Sequence, residues 1–160
     1  MNRRTVFALT SAAAVLPWAG QALAQTPAPE DAAKQPILLA GNFSLLASQI
    51  AAERATAEAV RGFAALEASE QQAIAAAFGS APGNTMTADH AATLEALRAM
   101  QPGAEFDRMY LDSQIAAHEQ ARPLHEAYAA DGGDPMARGA AMVAVPAIDS
   151  HLAMLRVIAG

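Results

Sequence analysis

The sequence predicts an all-α fold, with four long helices and one short connecting helix assembled into a bundle. Three observations carry this. Alanine is abundant and β-branched residues are few, a composition that favours helix over strand. Apolar residues recur at intervals of three and four through most of the chain. No alternating strand pattern and no internal repeat is found. With no cysteine in the 160 residues, the domain is held by burial of side chains and not by disulfides or thiolate-bound metal.

The elements follow in order. Arg3 and Arg4 form a short basic start, and 5–16 is an apolar stretch, shorter than the ~20 residues that a bilayer-spanning helix needs. Ala22-Leu23-Ala24 then matches the small-x-small pattern of a signal cleavage site. The expectation is a signal peptide over 1–24, cleavage before Gln25, and a periplasmic or secreted mature chain with no transmembrane segment. The absence of cysteine closes the lipoprotein route. Arg3-Arg4-Thr5-Val6-Phe7 also resembles a twin-arginine signal, with Asn2 where that signal carries serine or threonine. An ordinary secretory start fits these residues equally well. The polar, proline-bearing stretch 25–36 reads as a linker, and 37–160 as one helical domain.

The spacing of Leu39, Phe43, Leu46, Ala47 and Ile50 predicts a first helix over 37–54. Thr56 is expected to cap a second helix over 57–78, with Glu58 in its first turn and Gly79 as its stop. A loop over 79–84 leads to a short helix over 87–100, closed by Pro102 and Gly103. The third long helix spans 104–130 and carries Pro123, which removes a backbone bond and is expected to bend it. After a tight turn at 131–133, Asp134 caps the last helix and Pro135 takes its first position. That helix is expected to reach Ile158 with a kink at Pro146.

Charge narrows the function. Removing 1–24 takes away two arginines and no acid, leaving 8 basic against 16 acidic residues, a net −8. Such a chain repels nucleic acid and anionic membrane surfaces, so neither is an expected partner. No Gly-x-Ser-x-Gly elbow supports a serine hydrolase. The seven methionines and the many alanines read as ordinary bundle filler; a carrier of apolar ligands would need an empty apolar cavity.

Several polar residues fall on the inward faces. On the second helix, Glu70 falls within the apolar stripe of Val60, Phe63, Ile74 and Phe78, with Glu67 near its edge. Asp107, Gln114, His118 and His125 run down the apolar arc of the third long helix, and His151 faces inward on the last. His90 reads as a surface residue. Imidazole and carboxylate from facing helices are how bundles hold iron, manganese or zinc, which makes Glu70, Asp107, His118 and His151 candidate metal ligands. The competing reading is that these groups pair by hydrogen bonds and fix the helix register without metal.

Phe106-Asp107-Arg108-Met109-Tyr110 with His118, and Val145-Pro146 with His151-Leu152, resemble a family of exported bacterial proteins of unknown function, also described as predicted outer membrane proteins. Ile50-Ala51-Ala52-Glu53-Arg54-Ala55 and Val60-Arg61-Gly62-Phe63-Ala64 fit its first two helices, and the likeness covers 42–158. The resemblance implies a ferritin-like four-helix bundle whose second and third long helices run parallel across a long connection. Two departures stand out. Ser69-Glu70 replaces the family's aspartate-histidine pair, and Ser44 stands where the family often has an acid. No Glu-x-x-His pair occurs, which argues against ferroxidase or ribonucleotide-reductase-like chemistry. At 1.5 Å per residue, Glu70 and His118 each fall ~20 Å from the start of their helices, and His151 falls between Asp107 and His118 in height. Glu70–His118 and Asp107–His151 pairs are therefore expected before one cluster of four.

The resulting expectation is a non-enzymatic envelope or stress-related bundle protein with no catalytic residues and no obligatory cofactor, partnered by an envelope protein or by itself. The rival expectation is a metal-binding bundle, with Tyr110 as a neighbour of the metal site.

Overall fold

A computed structural model describes residues 29–160. The segment read as an export signal, 1–24, lies outside the described residues. The described chain forms five helices: α1 (Pro29–Arg54), α2 (Glu58–Ala77), α3 (Ala88–Ala99), α4 (Ala104–Asp131) and α5 (Pro135–Ala159). No strand occurs among the described residues. α1 starts earlier than the apolar spacing indicates. Proline is tolerated in a first turn, where the missing N–H has no intrahelical acceptor, and Pro29 opens this helix. Pro123 and Pro146 each lie inside one continuous helix.

α1 packs on α2 and α4 on α5, as two antiparallel hairpins. α1 also lies against α4 and α2 against α5, while α3 rests on α1 and α4. Polar contacts at the helix ends fix the directions. Asp107, in the first turn of α4, accepts hydrogen bonds from Thr56 and Ala57, which immediately precede α2. α2 and α4 therefore start at the same end. At the other end, Lys34 of α1 meets Asp134 at 2.6 Å, just before α5.

The caps explain where the helices begin. Asp134 accepts from the backbone N–H of Met136 and Ala137, so the aspartate-proline start signal works as expected. Thr87 accepts from the His90 N–H. Thr56, the expected cap of α2, does not cap it: the residue at that position is Ala57, which makes no side-chain cap. Asp107 takes over from another helix. Arg54, at the end of α1, donates to the carbonyls of Leu97, Arg98 and Met100 and lies over the Phe106 ring. A cation there meets the negative end of α3 and ties the connecting helix to α1.

The largest core cluster gathers Phe43, Val60, Phe63, Leu97, Phe106, Tyr110 and Leu155. Tyr110 is fully buried with its hydroxyl 2.9 Å from Ser48 Oγ, as a buried phenol requires. α5 is long and apolar enough to cross a membrane by length and composition. In the bundle it carries His151, Leu152 and Leu155 into the core.

Candidate metal centre

The buried face of α2 decides the centre. Val60, Phe63, Ala64, Glu67 and Ala75 are its buried residues. At about 100° per residue, Val60, Phe63, Ile74 and Phe78 centre on Glu67, and Glu70 falls outside Phe63 on the flank. Glu67 is fully buried, whereas the Glu70 side chain is 41% exposed.

His118 of α4 and His151 of α5 meet Glu67 in the core. Glu67 Oε2 lies 3.4 Å from His118 Nε2 and 3.1 Å from His151 Nδ1, and the two nitrogens are 3.2 Å apart. Among the described residues, these three form the group of buried side chains placed to share one metal ion. Asp107 is not part of it, being committed to Thr56 and Ala57 at the end of the bundle. Glu70 approaches from outside, its Oε2 3.1 Å from His151 Nε2. Neither expected pair forms. Glu70 meets His151 instead of His118, and Asp107 meets no histidine.

Each of the three groups is held by its other polar atom. The Gln71 side-chain amide donates to Glu67 Oε1 at 2.9 Å. His118 Nδ1 lies 2.8 Å from the Gln114 carbonyl, so it carries the proton and donates. His151 Nε2 faces the Glu70 carboxylate and likewise carries a proton. These outer bonds turn His118 Nε2, His151 Nδ1 and Glu67 Oε2 toward one point. Such bonds fix the tautomer and raise the basicity of metal-ligating groups. Phe63 supports both rings, 5.4 Å from His151 and 6.2 Å from His118 by centroid.

Three electron-pair donors face one another with no well-angled hydrogen bond to Glu67 Oε2. One positive charge has to sit among them, either a proton or a metal ion. Burial acts to raise the Glu67 carboxyl, but contact with His118, His151 and Gln71 outweighs it and brings the group down to about 2. Burial acts to lower His151; the Glu67 and Glu70 carboxylates overcome it and raise the imidazole above its ordinary value. Both shifts describe an environment that stabilises a cation.

Other polar residues surround the centre. Gln114, one turn before His118, is fully buried with both side-chain polar atoms unpartnered. His125 is 6% exposed with Nδ1 unpartnered. Burial and the charge of His118 bring its value down to about 4, so its ring is neutral. His90 differs from its reading as a surface residue, since it stacks on Phe43 at 4.3 Å.

A cavity of about 240 Å³ adjoins the centre. Its lining includes His118, His125 and His151, with Ile37, Ile74 and Ile148. Alanines from all four long helices leave the space open.

No curated protein and no solved structure matches the chain. The family model described as "Domain of unknown function (DUF4142)" matches residues 18–158. The match takes in α1 through nearly all of α5, including every residue of the centre. The chain therefore belongs to the DUF4142 family.

Proposed function

We propose that this protein is an exported four-helix bundle of ferritin-like arrangement that holds one divalent transition-metal ion on Glu67, His118 and His151. The triangle of donor atoms carries the reading. Ligands about 2.1 Å from one ion in tetrahedral or octahedral geometry stand about 3.0–3.4 Å apart. The three separations here are 3.1, 3.2 and 3.4 Å. Two imidazoles and one carboxylate suit zinc with an open position, or ferrous iron. A one-metal centre also accords with the lack of Glu-x-x-His pairs, the mark of di-iron bundles.

The helix α5 fits this reading as a bundle helix, since His151 works only inside the core. Export rests on the basic, apolar and small-x-small pattern before Gln25. An envelope or stress-related role is the setting that export gives such a centre.

The deciding experiment is elemental analysis of protein expressed with its own signal and purified without a histidine tag or chelator. One equivalent of zinc or iron, lost in Glu67→Gln and His118→Ala variants that remain folded, supports the centre. Metal-free protein that binds none on supply would mean that His151 is a structural imidazolium held between Glu67 and Glu70. Mass spectrometry of the same material tests cleavage before Gln25.

A further inference from the structure

The metal triad uses one carboxylate, so a divalent ion there keeps a formal positive charge within its ligand set, offset in part by Glu70 beyond His151. Two of its imidazoles, His118 and His151, line the cavity of about 240 Å³. An apolar cavity of about 150 Å³ takes one benzene, so this one has room for roughly eight to ten non-hydrogen atoms. Its wall is chiefly alanine and isoleucine. Val143 in that wall is exposed, which gives the cavity a route to solvent.

His125 also lines the cavity, seven residues beyond His118 and therefore about 10 Å further along α4. It is more than nine-tenths buried, and its Nδ1 has no hydrogen-bond partner among the described residues. A buried polar atom left without a partner costs roughly 1–3 kcal/mol. Nothing in the bundle itself explains that cost. A ligand that reaches it would.

Resting on the metal reading above, we infer that the cavity binds an elongated small carboxylic acid. Its carboxylate takes the open metal position, its apolar body lies among Ile37, Ile74 and Ile148, and a hydroxyl or carbonyl at its far end meets His125. The carboxylate completes the ligand set of the ion, while Glu70, which also lines the cavity, stays paired with His151 Nε2. Burial of the chain gives preference for medium length, and His125 gives preference for a polar end.

The test uses cobalt(II) in the full bundle, read by its visible absorption bands, with acetate, octanoate and ω-hydroxyheptanoate as probes. The last two have equal length and differ in a terminal methyl against a hydroxyl. Both are expected to perturb the bands and to bind at least about 10-fold tighter than acetate. His125→Leu should shift preference toward octanoate by about 10-fold, with cobalt affinity unchanged. Ala144→Leu, which fills the cavity, should remove the advantage of both long acids and keep the cobalt.

Cobalt uptake with equal affinity for acetate and octanoate, or long acids that leave the bands unmoved, would overturn the ligand proposal and leave the metal centre standing. An unaltered octanoate-to-hydroxyacid ratio in His125→Leu would overturn the assignment of the polar end. Failure of the folded protein to take up cobalt would remove the centre, and this ligand with it.

Discussion

Asp107 and Glu67 are carboxylates buried in one bundle, both at the starts or middles of parallel helices, and they meet opposite surroundings. Asp107 is met by donors: the Thr56 N–H and hydroxyl and the Ala57 N–H, at 2.9, 2.7 and 2.8 Å. Glu67 Oε2 is met by two imidazole nitrogens that have committed their protons elsewhere. A carboxylate surrounded by donors is finished, and it stabilises the fold. One surrounded by other bases is unfinished until a cation arrives. The difference separates a structural acid from a binding acid without any knowledge of function.

The comparison breaks most clearly under substitution. Glu67→Gln should lower metal affinity by more than about 100-fold, beyond the 10–100-fold typical of losing an outer contact, in a titration with zinc. The metal-free variant should also lose some stability at pH 7, since contact with His118, His151 and Gln71 holds the Glu67 carboxyl down to about 2 and so stabilises its charged form. Asp107→Ala should keep the metal. It leaves two backbone N–H groups and a hydroxyl without their acceptor, at a cost of about 2 kcal/mol in urea unfolding, with zinc affinity within two-fold (roughly the spread of such titrations). If both variants lose metal, or if neither does, the distinction fails.

The outer contact ranks next. Glu70→Gln keeps all three ligand atoms and weakens the proton-holding partner of His151, so zinc should bind about 10-fold more weakly. An unchanged affinity would show that Glu70 is a surface acid that only happens to lie 3.1 Å from the ring.

pH sharpens the contrast from the Asp107 side. Burial acts to raise its carboxyl, while the Thr56 and Ala57 hydrogen bonds and the Arg61 charge bring it below its ordinary value. A carboxyl depressed in the folded state stabilises above its unfolded value, near 3.9, and that contribution disappears as pH falls through the folded one. Asp107→Asn should therefore be less stable than the parent at pH 7, and the gap should close on acidification below about pH 4. A gap that holds constant with pH would remove ionisation from the account. The smallest effect is expected at the surface, where Arg122 bridges Asp149 and Glu126. Arg122→Ala should change the melting temperature by no more than a few °C, since exposed pairs add little.

Much of the fold was legible because its signals are local. Asp134-Pro135 starts α5 and Thr87 starts α3 through contacts within a few residues. The inward histidines of α4 and α5 were legible from periodicity alone, and His118 and His151 do meet. Glu67 was equally legible, since Val60, Phe63, Ile74 and Phe78 centre on it at about 100° per residue, whereas Glu70 falls outside Phe63. The capping role of Asp107 was out of reach of the sequence, since its donors lie 50 and 51 residues away. The same holds for His90, whose partner Phe43 comes from another helix.

The three metal-facing residues come from both hairpins, Glu67 from the first and His118 and His151 from the second. On the proposed metal reading, an ion between them would cross-link the two halves, closing one loop of roughly fifty residues and another of 33. In a chain without cysteine, such an ion would act as a staple that, unlike a disulfide, can be withdrawn by a chelator or a competing site. Metal supply would then set how tightly the hairpins hold together, and so how readily proteases reach the chain between them.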